Sequence, residues 1–251
     1  MRIIVTVLVA LMLAGASLSA DDVHVMSAGA VEPGLVRAAA AFESATGHRV
    51  IIRFGTGPQL SARLQANEDA DVLIAPAGVM TTAAGLGRID QATRAAVGRV
   101  GVGIVLRASA DPVDVDTPEA LRAALLEAAT VVFNRASTGQ YIERLIERLG
   151  VAAEVQGKAV RTDTGEAVME RIASGAGREI GFGAITEIRM LASMGIRLAG
   201  PLPAAVQNFT TYDVAALTAS RAPAAGAALI AYLRGDEGQR ELQAGGVEPA
   251  R

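Results

Sequence analysis

The sequence contains no cysteine and no tryptophan, only 3% aromatic residues, and two histidines. Without cysteine there is no disulfide, thiolate zinc site, iron–sulfur cluster or cysteine nucleophile. Scarce aromatics remove the stacking surface on which bases and sugars rest. His24 and His48 are isolated, with no His-x-x-x-His or His-Glu pair for a metal and little to build a histidine-based triad. A Gly-x-Ser-x-Gly elbow is also missing. Positive charge is not in excess: 23 basic and 26 acidic side chains give a formal −3, which argues against a nucleic-acid partner. These absences leave no expected cofactor or metal, and the chain is not expected to be an enzyme.

The 251 residues are 51% apolar and 20% charged, enough for a full core in one large domain or two lobes, and disorder is excluded. Met1 and Arg2 precede an apolar run from Ile3 to Ala14 and the small residues Gly15-Ala16-Ser17-Leu18-Ser19-Ala20. This is the pattern of a secretory signal over residues 1–20, with the cleavage bond open between Ser19 and Ala20 as the last leader residue. The run is shorter than the roughly 20 residues that span a bilayer. A soluble exported protein is expected, held together by packing alone.

Short β-rich runs then alternate with helical patterns. Strands are expected at Val23–Met26, Val50–Phe54, Val72–Ala75, Arg99–Arg107, Val131–Phe133, Ile180–Gly183 and Ala215–Thr218, the last after an extended Asn208–Tyr212 segment. Helices are expected at Pro33–Thr46, Pro58–Ala66, Pro118–Ala128, Gly139–Leu149, Gly165–Ser174, Pro223–Leu233 and Gly235–Ala244. In the first helix Leu35, Ala38, Ala39 and Phe42 recur at the spacing of one buried face. Such alternation implies an α/β fold of mainly parallel sheets covered by helices. Glu143, Arg144, Glu147 and Arg148 form a solvated helix face, and Asp69 and Asp71 read as solvated carboxylates at a loop and a strand start.

Four places set small or hydroxyl residues before a helix: Ser27-Ala28-Gly29-Ala30, Gly55-Thr56-Gly57-Pro58-Gln59, Ser137-Thr138-Gly139-Gln140 and Thr162-Asp163-Thr164-Gly165. The first N–H groups of a helix lack internal partners and carry the positive end of its dipole, so each place is either an anion seat or an ordinary N-cap. Strand carboxyl ends share one edge, where ligands of open α/β sheets bind. Arg135, beside Ser137, offers either a planar fork to a carboxylate or phosphate or a surface ion pair.

The order of Val25-Met26-Ser27-Ala28-Gly29-Ala30, Phe54-Gly55-Thr56-Gly57-Pro58-Gln59-Leu60, Ala70-Asp71-Val72-Leu73-Ile74-Ala75-Pro76, Gly98-Arg99-Val100-Gly101-Val102-Gly103, Ala136-Ser137-Thr138-Gly139 and Glu179-Ile180-Gly181-Phe182-Gly183-Ala184 resembles the periplasmic substrate-binding proteins of ABC importers, specifically the molybdate-binding class. The resemblance covers nearly the whole mature chain. It implies a two-lobed type II periplasmic-binding-protein fold, with a leader over 1–20, a first lobe of 21–103 plus 218–251, and a second lobe of 104–217. It further implies hinge segments near Gly101–Ile104 and Thr210–Leu217, closure of the lobes on a small anion, and an ABC permease as the partner of a monomer.

Ligand contacts are expected at the helix starts, at Ser27, Gly29, Thr56, Gly57, Ser137, Thr138 and Thr164, with Arg135 added for its fork; the resemblance adds the positions of Ala30 and Ala184, and Tyr212 lies in the Asn208–Tyr212 run, which is either a further set of contacts or a hinge strand with outward polar groups. Three positions depart from the molybdate pattern. Ala30 stands where a serine is usual, the serine cluster of the second motif is reduced to Thr56, and the usual tyrosine falls near Ala184. A buried dianion held by neutral donors needs many hydrogen bonds, each charge-assisted one contributing about 1.5–3 kcal/mol. The altered set therefore favours a small organic carboxylate over molybdate or tungstate. An exported sensor that presents its ligand to a membrane receptor kinase would use the same cleft and is the alternative.

Overall fold

The computed structural model describes residues 20–250, so all but the final residue of the expected leader lies outside the described residues. The chain runs through β1 (Asp22–Ala28), α1 (Glu32–Thr46), β2 (Arg49–Gly55), α2 (Gly57–Gln65), β3 (Val72–Pro76), α3 (Ala77–Gly85), β4 (Ala95–Arg107), α4 (Pro118–Glu127), β5 (Thr130–Asn134), α5 (Ser137–Arg148), α6 (Ala152–Gln156), β6 (Ala159–Thr162), α7 (Gly165–Ser174), β7 (Glu179–Ala184), α8 (Ile185–Met190), β8 (Ile196–Pro201), β9 (Phe209–Ala216), α9 (Pro223–Arg234) and α10 (Asp236–Ala244). No helix among the described residues is long and apolar enough to cross a membrane.

Local chemistry explains where the helices begin and end. In α1, Pro33 sits in the first turn, Leu35, Ala38, Ala39 and Phe42 are buried, and Gly47 closes the helix at φ 78° with its N–H on the Glu43 carbonyl. Thr56 caps α2 in a capping box: its hydroxyl accepts from Gln59 N while the Gln59 side chain accepts from Thr56 N. Thr117 and Thr164 cap α4 and α7 with the hydroxyl alone, accepting from Ala120 N and Ala167 N.

The strands lie in the order β2-β1-β3-β9-β4-β7-β5-β6, with β8 paired to β4. β1 is parallel to β2 and β3, and β5 is parallel to β6 and β7, as the alternation implies. β4 and β9 run against their neighbours, making the whole mixed. The reason is that β4 is shared: its first half, to Gly101, pairs with β9, and its second half pairs with β7 and β8. A chain that leaves along β4 and returns along β9 lays the two side by side in opposite directions. At the crossing, Gln207 mimics a peptide, its amide accepting from Val102 N and donating to Val102 O, each at 3.0 Å.

Apolar residues collect on either side of that crossing. Met26, Leu35, Phe42, Leu73, Ile74 and Leu229 belong to one core. Ile104, Leu121, Phe133, Ile142 and Phe182 form a second, and Val105, Val132, Met169, Ile172 and Ile188 a third. This is the two-lobed α/β periplasmic-binding-protein architecture, with helices on the sheet faces.

One sequence expectation is overturned. Asp71 is not solvated but 2% exposed, and it accepts hydrogen bonds from His24 N, Ser220 Oγ, Arg221 N and Ala222 N at 2.6–2.9 Å. It thereby ties β1 to the segment entering α9. Burial pushes its carboxyl up, but the bonds from Ser220, His24, Ala222 and Arg221 outweigh this and hold it below the usual carboxylate range. Asp69 stays at the surface, paired with Arg221.

Candidate functional site

Between the lobes lies a cavity of about 500 Å³. From the first lobe it is lined by Gly29 after β1, Glu32 of α1, Phe54 and Gly55 at the end of β2, and Thr56, Gln59 and Arg63 around α2. The second lobe contributes Thr164, Gly165 and Glu166 at the start of α7, then Glu187, Met190 and Leu191 on and after α8. These groups gather because β1, β2, β6 and β7 all end at this edge and each passes directly into a turn or helix. At the start of α2, Pro58 has no N–H and Gln59 N is taken by the Thr56 hydroxyl, so the donor there is Gly57 N; at the start of α7, Ala167 N is taken by Thr164 Oγ1, which leaves Gly165 N and Glu166 N, and both dipoles start here.

The charge of the lining is mostly acidic: Glu32, Glu166 and Glu187 against the single guanidinium of Arg63. Arg63 is held by its Nη1–H on the Phe54 carbonyl at 3.2 Å. The Glu187 carboxyl lies against the first turn of α7, so close that a methyl added at Gly165 would collide with it, and a methyl at Gly29 would lie 3.2 Å from its Oε1. Enclosure by the cleft walls pushes the Glu187 carboxyl up to about 7, a backbone hydrogen bond at Ala184 acts in the opposite sense, and the charges of Glu32 and Glu166 raise it further. Glu32 is raised as well, by burial and then by Glu166. Tyr212, 4% exposed, is pushed above the ordinary phenol range by burial and by its neighbour Glu187.

Gly29, Thr56 and Thr164 line the cavity. Ser27 is fully buried at the end of β1, with its hydroxyl donating to Ala28 O at 3.2 Å. The Ala30 carbonyl accepts from Thr186 Oγ1 at 2.6 Å, joining the turn before α1 to α8. Gly57 opens α2, Ala184 is buried immediately before α8, and Tyr212 stands beside Glu187. Arg135, Ser137 and Thr138 are not among the lining residues. The Arg135 side chain is 58% exposed, donating to Arg161 O at 2.8 Å and pairing with Asp163 at 3.3 Å. Ser137 is exposed in the first turn of α5, and Thr138 is buried there. That helix end is occupied by Asn134, whose Oδ1 accepts from Ala136 N at 3.0 Å and Gly139 N at 3.2 Å.

Glu187, Glu32, Glu166 and Arg63 carry the charge of the cleft, and none stood out in the sequence. Glu187 lies three residues beyond Ala184, on a helix of six residues with no side-chain cap. A helical turn entered straight from a strand brings that third residue back over the strand end, which is a signal only once the helix is known.

A curated relative from Pseudomonas sp., named aconitate isomerase, is 27% identical over 231 residues, covering 90% of this chain and 87% of the relative. Among solved structures, the periplasmic molybdate-binding protein of Azotobacter vinelandii superposes with a TM-score of 0.77 at 17% identity, over 91% of this chain and 100% of the other. The sulfate-binding protein SubI of Mycobacterium tuberculosis gives 0.74 at 14% identity, over 92% and 87%. The family model described as bacterial extracellular solute-binding protein matches residues 23–248, nearly every described residue, and the chain belongs to that family.

Proposed function

We propose that the protein captures a small organic carboxylate in the interlobe cleft and, as an exported periplasmic monomer, delivers it to an ABC importer. The supporting observation is the composition of the cavity: the N-terminal ends of α2 and α7 and Arg63 offer donors to carboxylate oxygens, while Phe54, Met190 and Leu191 offer apolar surface to a carbon skeleton. At about 500 Å³ the space exceeds what a bare tetrahedral oxyanion fills. Three glutamates around it repel a compact dianion but leave room for a longer acid whose charges are spread toward Arg63 and the helix ends.

A thermal-shift panel on residues 21–251 tests this reading with molybdate, tungstate, sulfate, phosphate and small carboxylates, aconitate among them. A ligand at 100 times its Kd stabilises by about 2.7 kcal/mol. Stabilisation by an organic acid alone is the expected result; strong stabilisation by molybdate or tungstate with no response to any carboxylate overturns it.

One observation favours a second reading, in which the cleft converts its ligand. Glu187 sits in the cavity wall with its carboxyl near 7, where a proton-transfer group works best at neutral pH, and the curated relative is named as an isomerase. Capture is common to both readings.

A further inference from the structure

We propose that Glu187 is the group that moves a proton on an unsaturated carboxylate bound in this cleft, shifting its double bond by one position. The inference rests on reading the cleft as a carboxylate site. Its geometric basis is the recess formed where Gly29 and Gly165 lack side chains: the Glu187 carboxyl fills it and faces the cavity shared with the α7 N-terminus. No ion pair among the described residues engages Glu187, whereas ten others are formed across the molecule. The Glu187 carboxyl thus faces the ligand cavity with a backbone hydrogen bond at Ala184 but no cation to neutralise it.

The surroundings keep it basic. Glu32 on α1 and Glu166 on α7 face it from two sides, and the neutral phenol of Tyr212 on β9 lies beside it, with Arg63 on α2 the cation of the same lining. A bound polycarboxylate adds further negative charge and raises its basicity again. With aconitate, a propene bearing three carboxylates, the ionised Glu187 takes a proton from the methylene carbon. The C–H electron pair spreads over the three-carbon allylic unit and into its carboxylates, whose developing charge the α2 and α7 ends and Arg63 are placed to meet. The resulting Glu187 acid returns the proton at the other end of the unit. One C–H bond breaks, one forms, the double bond moves, and the enzyme ends as it began, with no oxidant, reductant or co-reactant.

The test uses residues 21–251 in D₂O with cis- and trans-aconitate as probes. Proton NMR follows deuterium entry into the methylene group and interconversion of the isomers, while thermal shift reports binding. The wild type is expected to bind and to exchange, on a pH profile rising through about 7. Glu187→Gln is expected to bind at least as tightly, having lost a like charge, and to exchange at least about 100-fold more slowly, the lower end of what general acid–base catalysis contributes. Glu187→Asp should recover part of the rate. Binding without exchange, or wild-type exchange in Glu187→Gln, overturns the proton-transfer role and leaves carboxylate capture standing. No stabilisation of the wild type by either isomer, with another carboxylate stabilising, overturns aconitate chemistry at Glu187 while keeping capture; no response to any carboxylate overturns both.

Discussion

A glutamate whose carboxyl titrates near 7 in the folded protein and near 4.5 in its ordinary state is a stability determinant as well as a chemical one. Between these values the native form holds a proton that the unfolded chain has released. Its contribution is therefore complete below about 4.5, falls as pH rises, and is gone above about 7. Glu187→Gln carries no titrating proton. Relative to wild type it is expected to melt at nearly the same temperature at pH 4 and to be more stable at pH 8, by up to about 3 kcal/mol at 1.36 kcal/mol per pK unit. Thermal melts at the two pH values measure this directly; an equal difference at both contradicts the raised carboxyl. Individual residues were unevenly legible. Thr56 and Thr164 announce their roles because a cap acts on the three residues that follow it. Asp71 and Glu187 do not, because their surroundings come from His24 and Ser220 in one case and Glu32 and Gly165 in the other, far along the chain.

At the scale of elements, helices of nine residues or more with Pro or Gly in their first two positions are visible in the sequence: α1, α2, α4, α7 and α9 fall within a residue or two of expectation. The short elements α6, β6, α8 and β8, of four to six residues, leave too little period to read. The α5 N-terminus shows a subtler error. Ser137 looks like the cap, yet the helix begins at Ser137 itself and Asn134 at the end of β5 supplies the acceptor. Asn134→Ala is accordingly expected to cost about 1–2 kcal/mol, in the range of lost caps. Ser137→Ala, at an exposed position, should stay within about 0.5 kcal/mol. Urea unfolding of the two variants separates them, and a larger loss for Ser137→Ala than for Asn134→Ala sinks the assignment.

For the molecule as a whole, the family and fold were legible in the order of weak motifs, and the mixed strand directions were not, because alternation of strands and helices says nothing about which strand is shared. The shared β4 and returning β9 make the first lobe discontinuous. β1, β2 and β3 come from the chain's start, β9 and α9 from its end, and α10 packs on α1 with Arg37 and Glu241 paired at 3.0 Å. The second lobe is one uninterrupted stretch from the latter half of β4 through β8. This wiring sets an order of events during synthesis and refolding. The first strands made must wait for the last helices, whereas the middle of the chain has all its partners at hand and closes shorter loops. In pulse-labelled hydrogen exchange, amides of β5, β6 and β7 are expected to gain protection before those of β1 and β3. β1 and β3 are thus expected to be locked in place after the strands that follow them, and a chain ending before α9 is expected to hold a finished half beside an open one.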